Sequence, residues 1–441
     1  MGRMTTGARA WSPPPGRPRH RKRETPLGRR FWHLWGTFAV ASSGDGFAYG
    51  AVPLLAVVVA HARPLAVSGV VASDSLPWLL AALPAGLLSD RYERGRLMAA
   101  VNIARGVLLG CMALVVGLGD MTLLLLILFV LANGTARTLY YSGSQAAMPE
   151  LVASESIGRA NGVITGTEAA TEHLLGPIIG AAAFVAKRLL PFVFDASAVG
   201  ASGLALLGLR TQRPDPAAAR GSVWDGTRLL YRDRRLRVLV TLIAALSGLQ
   251  GLVAGILVLV ATHDWGVSDR FYGVFLAAGA VGNVPGALLA DRIVTKLGSA
   301  STLVCAAVVS GAAYIVMALA HSWLLAGAAF TLVGFSVAAG SVVAISLRQR
   351  LTPNEVMGRV GSAWRGIVWG AAPVGALLAG ALAVLGGLRL PILLAGGAQC
   401  LIAAVLARPL LQRLGRSGVG NVSTVTSPTT AVPPADASSP S

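Results

Sequence analysis

Long apolar runs, each broken by a short polar or basic turn, follow one another along most of the chain. A hydrocarbon core about 30 Å thick takes about 20 apolar residues in a helix. Runs of that order lie near 31–60, 65–88, 97–118, 121–143, 161–183 and 188–210. A second set lies near 237–262, 270–290, 298–320, 322–347, 360–384 and 388–408. The pattern predicts an all-α, polytopic membrane protein with twelve transmembrane helices in two six-helix bundles, 31–210 and 237–408. Between them, 211–236 is polar, with Pro214, Pro216, Arg232, Arg234 and Arg235, and predicts a linker carrying a short surface helix around Val223 to Tyr231. Residues 1–30 are rich in Arg and Pro and 409–441 in Ser, Thr and Pro, so a disordered basic extension and a disordered tail are expected. The apolar run after residue 30 is too long for the core of a cleavable signal.

Composition strengthens the membrane reading. Of 441 residues, 54% are hydrophobic and 13% charged, where a water-facing protein carries about a quarter charged. The net charge of +18 raises nucleic acid as a partner. The basic residues sit in short clusters between apolar runs, whereas nucleic acid is met by a continuous basic face, so no nucleic-acid partner is expected. The clusters instead orient the chain: with both termini cytoplasmic, nearly all Lys and Arg fall inside, with Lys187 and Arg188 the main exceptions. Ala, Gly and Val excess with few Lys points to a GC-rich genome, and the expected location is a bacterial plasma (inner) membrane. Cys111, Cys305 and Cys400 lie far apart in apolar segments and are expected as small buried hydrophobes without metal or redox pairing. No zinc helix, nucleophile elbow or Walker loop is present, so neither an enzyme nor a cofactor nor ATP drive is expected.

The two halves resemble each other. Pro84-Ala85-Gly86-Leu87-Leu88-Ser89-Asp90-Arg91 closes the second run, and Pro285-Gly286-Ala287-Leu288-Leu289-Ala290-Asp291-Arg292 closes the eighth, about 200 residues later. Gly158-Arg159 likewise answers Gly358-Arg359. A parallel repeat of two six-helix halves is a transporter architecture with the substrate between them near the bilayer midplane. The loop from Gly86 through Asp90, Arg91, Arg94 and Arg96 resembles the signature of the major facilitator superfamily between its second and third helices, with Gly95 interrupting the usual basic pair. Met148-Pro149-Glu150-Leu151-Val152 with Gly158-Arg159-Ala160-Asn161-Gly162, Gly44-Asp45-Gly46, and Phe194-Asp195-Ala196 resemble the branch of macrolide-efflux and enterobactin-exporter-like drug:proton antiporters. Gly176-Pro177-Ile178-Ile179-Gly180 resembles the core of that superfamily's exporter motif in helix five, with Glu172 standing where a glycine is usual. The resemblance implies a gating loop at Gly86, Asp90, Arg91, Arg94 and Arg96, echoed by Asp291 and Arg292, and a helix-five motif at Gly176, Pro177 and Gly180.

Ionisable side chains at bilayer depth cost several kcal/mol unless paired or hydrated, so each is a functional candidate. The acids and their neighbours are Asp45, Asp74, Glu168, Glu172, His173, Asp195, Arg105 and Arg137, all in the first half, with Arg365 alone in the second. Asp45 and Glu172 fall near mid-membrane, and Asp74 and Asp195 in the outer half. Glu168 and Glu172 are four apart on one helix face, an arrangement suited to a proton carrier. Simpler roles stand beside these. Glu168 could lock onto Arg137, Asp74 could pair with Arg105 or cap a bend at Pro77, Asp195 could end a turn at the outer interface, and His173 could be a local partner of Glu172. Trp32, Trp35, Trp265 and Trp323 are expected as interfacial anchors, with Trp78, Trp364 and Trp369 further in. The expected function is secondary, proton-coupled efflux of a small amphipathic compound by a monomer in the lipid bilayer. An uptake permease of the same fold and a non-transporting membrane sensor are the alternatives.

Overall fold

The computed structural model describes residues 27–414 except 62, 81–87, 89–90, 154–155, 210, 212–222 and 354–355. Among these the chain is helical throughout. The helices are α1 (Arg29–Val59), α2 (Pro64–Leu80), α3 (Arg94–Leu118), α4 (Leu123–Leu151), α5 (Ile157–Ala186) and α6 (Leu190–Leu206). After these come α7 (Val223–Arg232), α8 (Arg234–Ala254), α9 (Asp269–Leu297), α10 (Ser299–Leu319), α11 (Trp323–Leu351), α12 (Met357–Gly386) and α13 (Leu390–Leu414). Ten are long and apolar enough to cross a membrane, while α2 and α6, at 17 residues each, are apolar but shorter.

Local chemistry explains the ends. Thr122 and Ser322 stand before α4 and α11 and accept the Leu125 and Leu325 amides at 3.3 Å, satisfying donors that have no partner inside the helix. Asp233 does the same for α8, at 2.7 Å to Arg235 and 3.0 Å to Leu236. Two spans are less regular than their hydropathy predicts. After α8 the chain breaks at Gly255 and Ile256, resumes at Leu257–Leu259, and ends in a π turn, Val260–Asp264. Inside α5, Ala169–Leu175 is also a π turn. Pro177 explains the second one, since it has no amide for the preceding turn and its ring presses on it.

Helices α1–α6 pack as α3 on α6, α1 on α6 and α5, and α4 on α2 and α3. The corresponding helices of α8–α13 meet as α10 on α13, α8 on α13 and α12, and α11 on α9 and α10. The two sets touch along α2 with α12 and along α5 with α9. At the end holding Val59 and Trp265, one hydrophobic cluster draws on both sets, from Leu54 to Ala60 and from Leu252 to Val267. At the other end the clusters are separate. One is built around Phe31, Met98 and Leu206, the other around Leu230, Leu303 and Trp364. Among the described residues the halves therefore share one apolar cluster at one end and have separate clusters at the end that carries α7.

Burial is inverted relative to a protein in water. Leu385 is 81% exposed and Leu288 75%, whereas Arg105 is 1% exposed and Asp195 fully enclosed. Apolar side chains face outward because lipid, not water, surrounds them. Two expectations change. Cys111 and Cys305 lie on the exposed surface and not in the core. Trp265 is buried against Phe275, with ring centroids 5.4 Å apart, and is no interfacial anchor, although Trp32 and Trp323 are exposed as expected. The linker helix α7 falls where the sequence places a short surface helix: it lies against α12 with Leu230 fully buried and keeps Arg228 and Tyr231 exposed.

Candidate functional site

Two arginines organise the middle of the first half. Arg105, on α3, points its guanidinium into the gap between helices. It forms an ion pair with Asp45 of α1, donates from Nε to Asn133 Oδ1 of α4 at 2.9 Å, and reaches Asn102 Oδ1 at 3.4 Å. Asn102 in turn donates to Ser202 of α6 at 3.2 Å. Arg137, one turn along α4 from Asn133, pairs with Glu172 of α5 and lies 3.9 Å from the second Asp45 oxygen. Five of the first six helices are thus tied by one polar network. A buried carboxylate is tolerable here because each has a guanidinium partner and Arg105 spends most of its donors.

The π turn sets the geometry at Glu172. Glu168 is the last residue before the turn and Glu172 lies inside it. The wider helix breaks the four-residue register that would stack the two acids. Arg137 therefore engages Glu172, and Glu168 stays half-buried with no ion pair among the described residues, which corrects the expected Glu168 lock. His173 turns its ring edge-on to Tyr49 of α1, centroids 5.5 Å apart, in place of bonding Glu172. Asp74 of α2 does not meet Arg105, which Asp45 occupies, and has no ion-pair partner among the described residues.

Asp195 departs furthest from expectation. It is not at a wet outer interface: the side chain is completely enclosed, and neither carboxyl oxygen has a hydrogen-bond partner. It faces Gly44, where a Cβ would lie 2.7 Å from its Oδ1. The glycine beside Asp45 is thus what lets a carboxyl from α6 come so close to α1.

Adjoining cavities lie beside this network. One of about 130 Å³ is bounded by Asp45, Tyr49, Asp74, Asn133 and Arg137, with Phe129 and Phe192 on its apolar side. The next, about 260 Å³, continues past Tyr49 and His173 to Gln250, Asn283 and Tyr314 of the second half. A third, about 170 Å³, is lined by Gln250, Ser310, Ser336 and Gln399. Ser310 donates to Gln399 at 2.6 Å there.

The helix-five motif sits where the halves cross. Side chains on Gly46 or Gly176 would collide with each other's backbones, and one on Gly180 would collide with Phe47 of α1. On the other side, a Cβ on Gly273 of α9 would strike the Pro177 carbonyl. Gly176, Pro177 and Gly180 thereby let α5 touch α1 and α9 at once. In the loop region, Arg94 pairs with Glu150 at the end of α4, which joins the two motifs that resemble the superfamily. Arg96 pairs with Glu93 at 2.9 Å, and the Gly95 amide donates to Thr211 at 2.9 Å. Arg91, Asp291 and Arg292 are exposed at the same end and form no ion pair among the described residues. Gly86 and Asp90 lie outside the described residues.

Against known proteins, a family model described as "Transmembrane secretion effector" matches residues 25–421. The chain belongs to this family, within the major facilitator superfamily. Among curated relatives, the transporter is 27% identical over 304 residues to the enterobactin exporter EntS of Salmonella typhi, covering 67% of this chain and 72% of that one. It is 27% identical over 343 residues to EntS of Escherichia coli O1:K1 / APEC, covering 75% and 80%. Among solved structures, the nucleoside transporter NupG superposes with a TM-score of 0.70 at 12% identity over 87% of this chain and all of that one. An inward-facing bacterial homologue of the lysosomal transporter Spinster superposes at 0.69 and 13% identity, over 88% and 97%. These likenesses establish the fold, and the transporter is a multi-pass membrane protein and not an enzyme.

Sequence reasoning had the acids and Arg137 but missed the Asn102, Asn133 and Ser202 bridge, and it did not link Arg105 to Asp45. Two asparagines inside apolar spans were the available signal, since an amide in lipid needs partners.

Proposed function

We propose that the transporter exports a small amphipathic compound in exchange for protons. It would do so by alternating access between two six-helix bundles, α1–α6 and α8–α13, joined on the cytoplasmic side by the 211–236 linker. The matching helix pairs in each set and the caps at Thr122 and Ser322 support the repeat. The Lys and Arg asymmetry favours both termini and the linker inside a bacterial plasma membrane. With that orientation the end that carries α7 faces the cytoplasm, and the separate apolar clusters there support an inward-open state, ready to collect a compound from inside. Export draws support from the enterobactin exporters among the relatives.

The observation that carries proton coupling is the enclosed, unpartnered Asp195. Asp45 and Glu172 are already neutralised by Arg105 and Arg137, so a proton binding there has to displace an arginine. Asp195 has nothing to displace. A buried carboxyl with no partner is held more cheaply neutral than charged, so releasing its proton would need the helices around it to move, which is what coupling requires. This places Asp195 ahead of Asp45 and Glu172, the reverse of the ranking by depth along the chain.

The test is reconstitution into liposomes with an imposed pH gradient, using a compound chosen by the sensitivity of a deletion strain. Asp195→Asn should abolish accumulation against a gradient and leave downhill exchange. Asp45→Asn and Glu172→Gln should slow both, because they free an arginine. If all three variants still concentrate the compound in proportion to the pH gradient, the proton site is elsewhere or the coupling ion is not a proton.

A further inference from the structure

The second half brings two arginines together with no acid among the described residues to hold them. Arg348 lies three residues from the inner end of α11, and Arg365 is eight residues into α12. Their Nη1 atoms stand 3.7 and 3.8 Å from the point where a side chain on Gly361 would begin, so the two guanidinium groups converge on the same small face of α12. Arg348 lies over the Trp364 ring at 5.6 Å, and its Nε is buried without a hydrogen-bond partner. Arg365 donates to Ser362 Oγ at 3.5 Å. No carboxylate among the described residues pairs with either, in contrast to Arg105 and Arg137.

One turn deeper along α12, Trp369 meets two rings from the first half. Its centroid is 4.5 Å from Trp78 of α2 and 5.8 Å from Tyr141 of α4, with Trp78 and Tyr141 at 5.4 Å. Trp369 also borders the cavity lined by Ser310 and Gln399. A cation pair, an aromatic cluster and an uncharged polar cavity therefore follow one another from the end that carries α7.

Two partly buried like charges repel, and each loses hydration. An anion set between them would offset both costs, and the guanidinium fork suits the paired oxygens of a carboxylate. An aromatic body next to that anion would rest edge-on or offset against the three rings. We propose that Arg348 and Arg365 are the anion-recognition site of the transported compound, and that this compound is an aromatic acid whose ionised oxygen group lies between the two guanidinium groups. The proposal rests on the transport reading above for the word "transported"; the binding site itself does not depend on proton coupling.

The test uses the full chain in nanodiscs of phosphatidylcholine, with binding of salicylate and its neutral counterpart salicylamide measured by calorimetry. Salicylate should bind, and salicylamide at least about tenfold more weakly, because only the acid meets a charge-assisted bond. Arg348→Gln and Arg365→Gln should each weaken salicylate by at least about tenfold, and Arg365→Lys by less, because charge remains without the fork. The wild-type comparison of the two ligands needs no variant and stands even if a variant folds poorly. Equal binding of acid and amide, no binding of salicylate to the wild type, or wild-type affinity in folded Gln variants each overturns the proposal and leaves the arginines as solvated residues near the membrane surface. Failure of the pH-gradient experiment with salicylate binding intact would instead remove the proton-coupling reading alone.

Discussion

In the first half, Arg105 and Arg137 are held by Asp45 and Glu172 across helix boundaries, and Asn102, Asn133 and Ser202 take up the remaining valences. In the second half, the polar side chains deep in the cavity wall are uncharged, Gln250, Asn283, Ser310 and Gln399, and Arg348 and Arg365 have no acid partner among the described residues. The two halves share a pattern of helix packing yet carry different electrostatics. A charged pair enclosed by protein fixes helix positions strongly, since opening it exposes both partners to low dielectric. An amide and hydroxyl wall holds shape through weaker bonds that can be exchanged for those of a guest molecule. The difference is one of fixed charge pairs in the first half against exchangeable amide and hydroxyl bonds in the second.

The largest effect should come from breaking the charge pairs of the first half. Arg105→Ala strands Asp45 and two amides, and removing one member of a buried pair costs about 3–5 kcal/mol. Thermal unfolding in detergent should show Arg105→Ala far below the wild type. Gln399→Leu, the second-half comparison, removes the Ser310 acceptor and should cost about 1–3 kcal/mol. Equal destabilisation by both would erase the contrast.

A middle effect is expected where the halves touch. Gly273→Leu forces a side chain into the Pro177 carbonyl; overpacking of this kind costs about 1–3 kcal/mol. Because the crossing belongs to both sets, transport should fall more than stability does. A variant that transports normally would mean that α5 and α9 do not pivot on this contact. The smallest effect is expected at the end with the shared apolar cluster, where Arg389 Nε donates to Asp264 at 2.9 Å with both side chains partly exposed. Asp264→Asn should change stability by only about 0.2–1 kcal/mol. A larger loss would show that this pair, and not the apolar cluster around it, holds the second half together at that end.

Much of the molecule was legible in the chain because lipid imposes a one-dimensional rule. A backbone that cannot hydrogen-bond to its surroundings must form helices of bilayer length, so hydropathy alone located the elements and the basic clusters between them. The motifs around Asp90 and Glu150, and the glycines of helix five, likewise carried the family. Which acid meets which arginine was decided only by the tertiary structure. Along one helix Glu168 and Glu172 look equivalent, but the π turn above Pro177 separates them and hands Glu172 to Arg137. Depth along α6 put Asp195 near water, yet packing of Gly44 against it encloses the carboxyl completely. Arg348 gave no sign in the sequence of sitting beside Arg365, because they come from different helices and their side chains meet only beside Gly361. Burial and pairing depend on neighbours from distant parts of the chain, and hydropathy, which reads one helix at a time, contains no information about them.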